Sequence, residues 1–254
     1  MRKTRLLALL GSALLALALL VAAPGSAEVS QKNGVRVAVE GNLSPNRLPR
    51  RGSAPVSVSV SGKIEPLGIA ALPQLQKMTI AINSAGHLDL KGVPHCRIGH
   101  IDPSTDEEAL AACGSSLIGE GSFSADVKIP EQSPFPSEGR LLAFNGTIGG
   151  KPAILGHIYG TDPLPTSFVL IFRVKQTKGT FGTVLEASFP RATGEWGYVT
   201  GISLNLNKKR FLSAGCPALK GSSKAAFPLL KTGFSFAGGL RLDNTLTRSC
   251  KAMG

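Results

Sequence analysis

The 254-residue chain carries 28 Lys and Arg against 16 Asp and Glu, a formal charge of +12, with 30 glycines, 17 prolines and four cysteines. That length suits one large all-β domain or two small ones. Two tyrosines and one tryptophan are too few to interleave stacking aromatics with the positive charge, so the composition argues against a nucleic-acid partner. The basic excess leaves an anionic polymer or an envelope surface as the partner class it would suit.

Arg2, Lys3 and Arg5 precede an apolar run, Leu6 to Ala23, that is broken by Pro24 and followed by the small residues Gly25-Ser26-Ala27. This is the layout of a secretory signal peptide over 1–27, with cleavage after Ala27. Retention as a signal anchor is the alternative, since about 18 apolar residues is the lower limit for a span. Removal of the three basic residues leaves about +9 on 28–254. No later stretch is apolar for as long, so the mature chain is expected to be a soluble single all-β domain without a transmembrane helix.

Residues 28–54 read as a partly irregular N-terminal segment around VRVAV (35–39), with Pro45, Pro49 and Pro55 in "NLSPNRLPRRGSAP". "PVSVSVSGKI" follows, placing Val56, Val58 and Val60 on one face and Ser57, Ser59 and Ser61 on the other. One face meets a core and the other meets water or a ligand. "MTIAINSAGHLDL" repeats the pattern through Met78, Ile80 and Ile82. In "DPSTDEEALAACG", Ser104 with Glu107 three residues on forms a capping box for one short helix, and Gly114 ends it after Cys113. Further strands are expected at 116–129, 140–148, 153–160, 167–175, 180–189, 197–207, 233–238 and 240–249. Gly149-Gly150 predicts a hairpin over 140–160, with Asn145-Gly146 as a competing turn. The resulting class is an antiparallel β-sandwich or jelly-roll-like domain with one short helix.

"PHCRIGH" (94–100) holds His95, Cys96 and His100. The histidine spacing suits zinc, but only His87 and His157 remain as further imidazoles, and four cysteines in an exported chain favour two disulfides. Local pairing, Cys96 with Cys113 and Cys216 with Cys250, would close loops contributing about 3 and 4 kcal/mol in the chain-entropy view. No metal and no cofactor is expected, and no nucleotide or EF-hand motif occurs.

Catalytic candidates are sparse. "GFSFAG" (233–238) resembles a nucleophile elbow, but Phe234 and Phe236 flank Ser235 with strand period and no helix follows. In "HIYGTDP", His157 and Tyr159 share a strand face and Asp162 follows at a turn, a pairing open to acid–base chemistry. Glu186 and Glu195 are carboxylates that could serve glycoside hydrolysis if they faced each other, with Trp196 and Tyr198 as the only close aromatic pair. Asn42 and Asn145 begin glycosylation sequons.

Several phrases occur together: "LPRRGSAPVSVSVSGKI", "EQSPFPSEGRLLAFNG", "HIYGTDPLPTSF", "GTFGTVL", "WGYVTGISLNL", "LSAGCPA" and "TLTRSC". Over about residues 47–250 the chain resembles a group of uncharacterised secreted proteins of soil actinobacteria. The resemblance implies export and a single compact domain, and it brings no activity, cofactor, partner or residue role. The expectation is an exported, disulfide-stabilised β-domain that binds or builds in the extracellular space or cell envelope. Its rival is a secreted hydrolase or lyase acting on a polysaccharide or other polymer.

Overall fold

The computed structural model describes residues 27–129, 131–162, 165–189 and 197–253. The N-terminal half forms β1 (Glu28–Lys32), β2 (Val35–Ser44), β3 (Arg47–Pro49), β4 (Ala54–Pro55), β5 (Ser57–Pro66), β6 (Leu75–Asn83), β7 (Gly86–Leu88), the helix α1 (Asp106–Cys113) and β8 (Leu117–Val127). The C-terminal half forms β9 (Phe135–Ile148), β10 (Lys151–Gly160), β11 (Thr166–Gln176), β12 (Phe181–Ser188), β13 (Gly197–Leu206), β14 (Leu212–Ala214), β15 (Lys224–Phe236) and β16 (Arg241–Met253). Thirteen strands share one sheet, ordered β1-β2-β5-β13-β8-β9-β10-β11-β12-β6-β15-β16-β3, and β4-β14-β7 make a small second sheet. All pairings between these strands are antiparallel except β16 with β3, and an isolated parallel bridge joins Cys96 to Gly146. The fold is the all-β, sandwich-like class expected, its two layers being halves of one curled sheet.

The curl brings the ends of that sheet together. β2 pairs with β5 at one end, and three residues beyond it β3 pairs with the tail of β16 at the other. The same run of chain therefore bridges both edges. Along the rest of the seam Arg248 does the joining: its Nε donates to the Gly41 carbonyl at 2.7 Å and its Nη1 to Glu28 Oε1 at 3.1 Å. The two edges thus lie against each other across a seam bridged by side-chain bonds rather than by a backbone ladder.

Period-2 alternation decides what fills the inside. Val58, Val60 and Ile64 of β5 face Met78 and Ile80 of β6 and Phe234 of β15 in one core, while Ser57, Ser59 and Ser61 face out. β9 and β10 break the alternation, with 141–146 and 153–158 buried throughout. Their outer face carries a second cluster in which Leu142, Phe144 and Leu155 pack against Ile101, Ala109 and the Cys96–Cys113 disulfide. A strand pair covered on both sides needs no polar face.

Both disulfides take the local pairing, Cys96–Cys113 and Cys216–Cys250, and no described cysteine is free. The Gly149-Gly150 hairpin forms, with φ of 59° and 74° at its two glycines. Three expectations are corrected. Residues 28–32 form a strand, because Asn33 and Gly34 adopt φ of 49° and 76° and turn the chain back onto β2. The capping box sits one residue later than expected: Thr105 N donates to Glu108 Oε2 at 2.8 Å and Glu108 N to Thr105 Oγ1 at 3.3 Å. Asn145-Gly146 makes no turn; it lies inside β9, paired with Ile154 and Ala153.

Candidate functional site

His157 lies on the outer face of β10, beneath α1, and is fully buried. Its Nδ1 stands 3.0 Å from the Ile101 carbonyl, so this nitrogen carries the proton and donates. Nε2 then faces Asp106 Oδ1 at 3.4 Å. Neither of these two facing atoms has another hydrogen-bond partner. Burial holds the imidazole below its ordinary range and pushes the Asp106 carboxyl above its own, each effect partly offset by the partner's charge. Arg140 extends the chain outward, with Nη1 3.8 Å from Asp106 Oδ2 and Nη2 2.6 Å from Glu120 Oε2. The result is a strut between α1 and the sheet, with its imidazole sealed from solvent.

The other candidates take separate positions. Asp162 is exposed in the segment after β10, and its carbonyl accepts from Ser137 Oγ at 3.1 Å. It is not among the hydrogen-bond or ion-pair partners of His157. Glu186 on β12 is clamped by Lys77 at 2.8 Å and Lys175 at 3.3 Å, and these ammonium groups hold its carboxyl below the usual range. Glu195 and Trp196 lie outside the described residues. His95 and His100 are exposed, and no group of three or more metal-ligating side chains occurs among the described residues. Sequence reasoning missed Asp106, whose only signal was its place in an acidic first helical turn.

Arg50, from the basic cluster Arg47/Arg50/Arg51, donates to the carbonyls of Ala218 at 3.1 Å and Ser222 at 2.7 Å. It ties a loop rather than presenting a free charge. Asn145 is fully buried, and its Nδ2 donates to the carbonyls of Leu90 at 3.1 Å, Val93 at 2.8 Å and Pro94 at 3.3 Å. That side chain cannot accept a glycan in the folded protein.

Two places offer room. The first is an open, polar hollow of about 390 Å³ on the outer sheet face, where Glu40, Asn42, Ser59, Glu120 and Asn205 surround Ser61 and Ser203. Register explains the grouping: Glu40 pairs with Ser61 and Ser61 with Ser203, while Asn42 pairs with Ser59 and Ser59 with Asn205. Two carboxylates in this hollow disfavour an anionic ligand there.

The second is inside the curl. Two adjoining lobes, of about 50 and 80 Å³, share Val60, Ile80, Ile154, Phe172 and Leu204 in their walls. The first also touches Gly62 of β5 and Thr232 of β15, and the second Leu212 of the small sheet. Apart from Ser61 and Ser203 at the first lobe, the walls are otherwise aliphatic and aromatic, held on strands from both halves of the sheet. Room inside a close-packed interior is unusual, because packing normally leaves few voids larger than a water molecule.

Fold and site together define a class: a disulfide-tied, curled β-domain with an apolar interior chamber. Comparison with protein-family models, curated proteins and solved structures finds no match. No helix among the described residues is long and apolar enough to cross a membrane.

Proposed function

We propose that this chain is an exported domain of the extracellular space or cell envelope that acts by binding, not by catalysis. One contrast carries the reading. The described catalytic candidates are engaged structurally or stand apart, whereas the curled sheet keeps apolar volume unfilled. His157 is sealed under α1 and Glu186 is neutralised by two lysines. A general base needs reach to a substrate proton, which a fully buried imidazole lacks. The signal-like N-terminus, the two disulfides and the resemblance to secreted actinobacterial proteins support export.

Secreted protein should begin at Glu28 on N-terminal sequencing. Native mass spectrometry of that material is expected to show a small non-covalent adduct lost on denaturation, and assays on polysaccharide and ester substrates to show no turnover. Turnover abolished by His157→Gln or Glu186→Gln would overturn the reading in favour of the secreted hydrolase.

A further inference from the structure

The chamber is kept open by residues that do not have to keep it open. Gly62 faces inward on β5 between Val60 and Ile64, and its φ is not in the left-handed region. A Cβ built there would sit 3.8 Å from Ile202 Cγ2 and 3.9 Å from Phe234 Cζ, which is ordinary van der Waals contact. Alanine would fit, fill part of the first lobe and remove the entropic cost of glycine inside a strand. The native residue therefore gives up stability and retains space.

One wall of the same lobe carries an unmet polar group, and further unmet groups lie behind it. Thr232 is 3 % exposed and its Oγ1 has no hydrogen-bond partner. Directly opposite it in register is Asn244 of β16, 5 % exposed, whose Nδ2 is also unpartnered. Two residues beyond Leu246 on the same inward row, Arg248 Nη2 lacks a partner, as does Ser30 Oγ on β1 across the seam. Half of the eight such atoms among the described residues thus follow one strip from the chamber wall to the seam. Buried polar groups are almost always satisfied, so this concentration points to a missing partner. Asn Nδ2 and Arg Nη2 are donors only and a hydroxyl can donate, so the missing group is an acceptor oxygen. Glu28 already balances the Arg248 charge, which favours a neutral oxygen over a carboxylate.

We propose that the chamber binds one small neutral amphiphile. An apolar ring or short alkyl chain occupies the lobes beside Gly62, and one hydroxyl or carbonyl oxygen meets Thr232 Oγ1 and Asn244 Nδ2. Size agrees with this: an apolar cavity of about 150 Å³ holds benzene, and the two lobes together approach that volume. The assignment rests on the binding reading above and adds the ligand's class.

Benzene and phenol share a ring and differ by one hydroxyl, so they are the probes. Titration of the secreted chain should move the methyl NMR signals of Ile80, Ile154 and Leu204 with both, and phenol should bind at least about fivefold more tightly, as one net hydrogen bond allows. Thr232→Val should shrink the phenol advantage below about twofold and leave benzene unchanged. Gly62→Ala should weaken both probes at least about tenfold while raising the thermal midpoint. Equal affinity for the two probes would overturn the oxygen contact, meaning water alone satisfies the strip, yet leave the binding reading intact. Silence from both probes would overturn the chamber as a site. Substrate turnover dependent on His157 or Glu186 would overturn the binding reading itself, whatever the probes do.

Discussion

Two buried polar pairs lie on opposite faces of the same curled sheet, and they are built differently. His157 and Asp106, outside and under α1, are complementary in charge: the ring and the carboxylate face each other at 3.4 Å and the Ile101 carbonyl accepts the N–H on the other side. Around them Phe144, Leu142 and Leu155 fill the space and a disulfide locks the cover. Thr232 and Asn244, inside, have unmet hydrogen-bonding atoms, and Thr232 borders unfilled volume. A charge-complementary pair in a filled cluster describes a strut. An unmatched pair beside a void describes a place waiting for a guest.

The largest effect that separates the two regions is loss of the cover. Cys96→Ser with Cys113→Ser opens a link between residues 17 apart and should cost about 3 kcal/mol. It should also release protection of the β9 and β10 amides in hydrogen exchange, since the cover shields those strands. Chamber binding of benzene should survive, because no lobe residue belongs to the cover cluster. A cystine-free variant that loses both protection and benzene binding would show the two regions to be one unit.

How far such regions could be read from sequence depends on the range of the interaction that makes them. Local patterns were legible. The Val/Ser alternation of 56–61 predicted which face lines the interior, Gly149-Gly150 predicted a hairpin, and the cysteines flanking the short helix and the last strands suggested the local one of three possible disulfide pairings. The Asn33-Gly34 turn is an equally local signal, but the polar residues of 28–32 lack the alternation that marks a strand. β3 and β4 are three and two residues long and contain Pro49 and Pro55, so no periodicity could show them. The first half of β15 holds Pro228 at a register shift, which hides its alternation. Asp106 and His157 meet only through tertiary folding. The chamber was illegible for a stronger reason: a void is a difference between facing side-chain volumes on strands far apart in sequence.

Adding the same methyl group to each region tests the contrast with smaller changes. At Gly146, on the covered strand, a Cβ would lie 2.7 Å from Leu155 Cδ1 and 2.9 Å from the Cys96 carbonyl oxygen. The backbone oxygen cannot swing aside, so Gly146→Ala should cost about 1–3 kcal/mol in urea unfolding. Gly62→Ala meets only ordinary contacts and should instead add about 0.5–1 kcal/mol. Opposite signs for one chemical change would separate filled from unfilled interior. Destabilisation by both would mean that the chamber walls are as tightly packed as the cover.

The smallest effect is the pH dependence of the strut, and it is small because its two members oppose each other. Burial holds His157 below its ordinary range, so between its folded and unfolded values the unfolded chain binds more protons, and stability falls as pH drops below about 6.5. Burial raises Asp106, so above its unfolded value the folded chain binds more protons, and that contribution is lost as pH rises through the raised value. Acidification therefore weakens the fold through the histidine and favours it through the aspartate, leaving a shallow net slope in the urea midpoint between about pH 4 and 7. Removing either partner exposes the other. Asp106→Asn also removes the charge that supports the imidazolium, so its stability should fall more steeply with acid than that of the parent chain. His157→Gln leaves a raised carboxyl behind and should reverse the slope, with stability rising as pH falls toward 4. If both variants track the parent curve, the two groups are not a coupled pair. The cover would then be held by its disulfide, its apolar contacts and the Arg140–Asp106 ion pair.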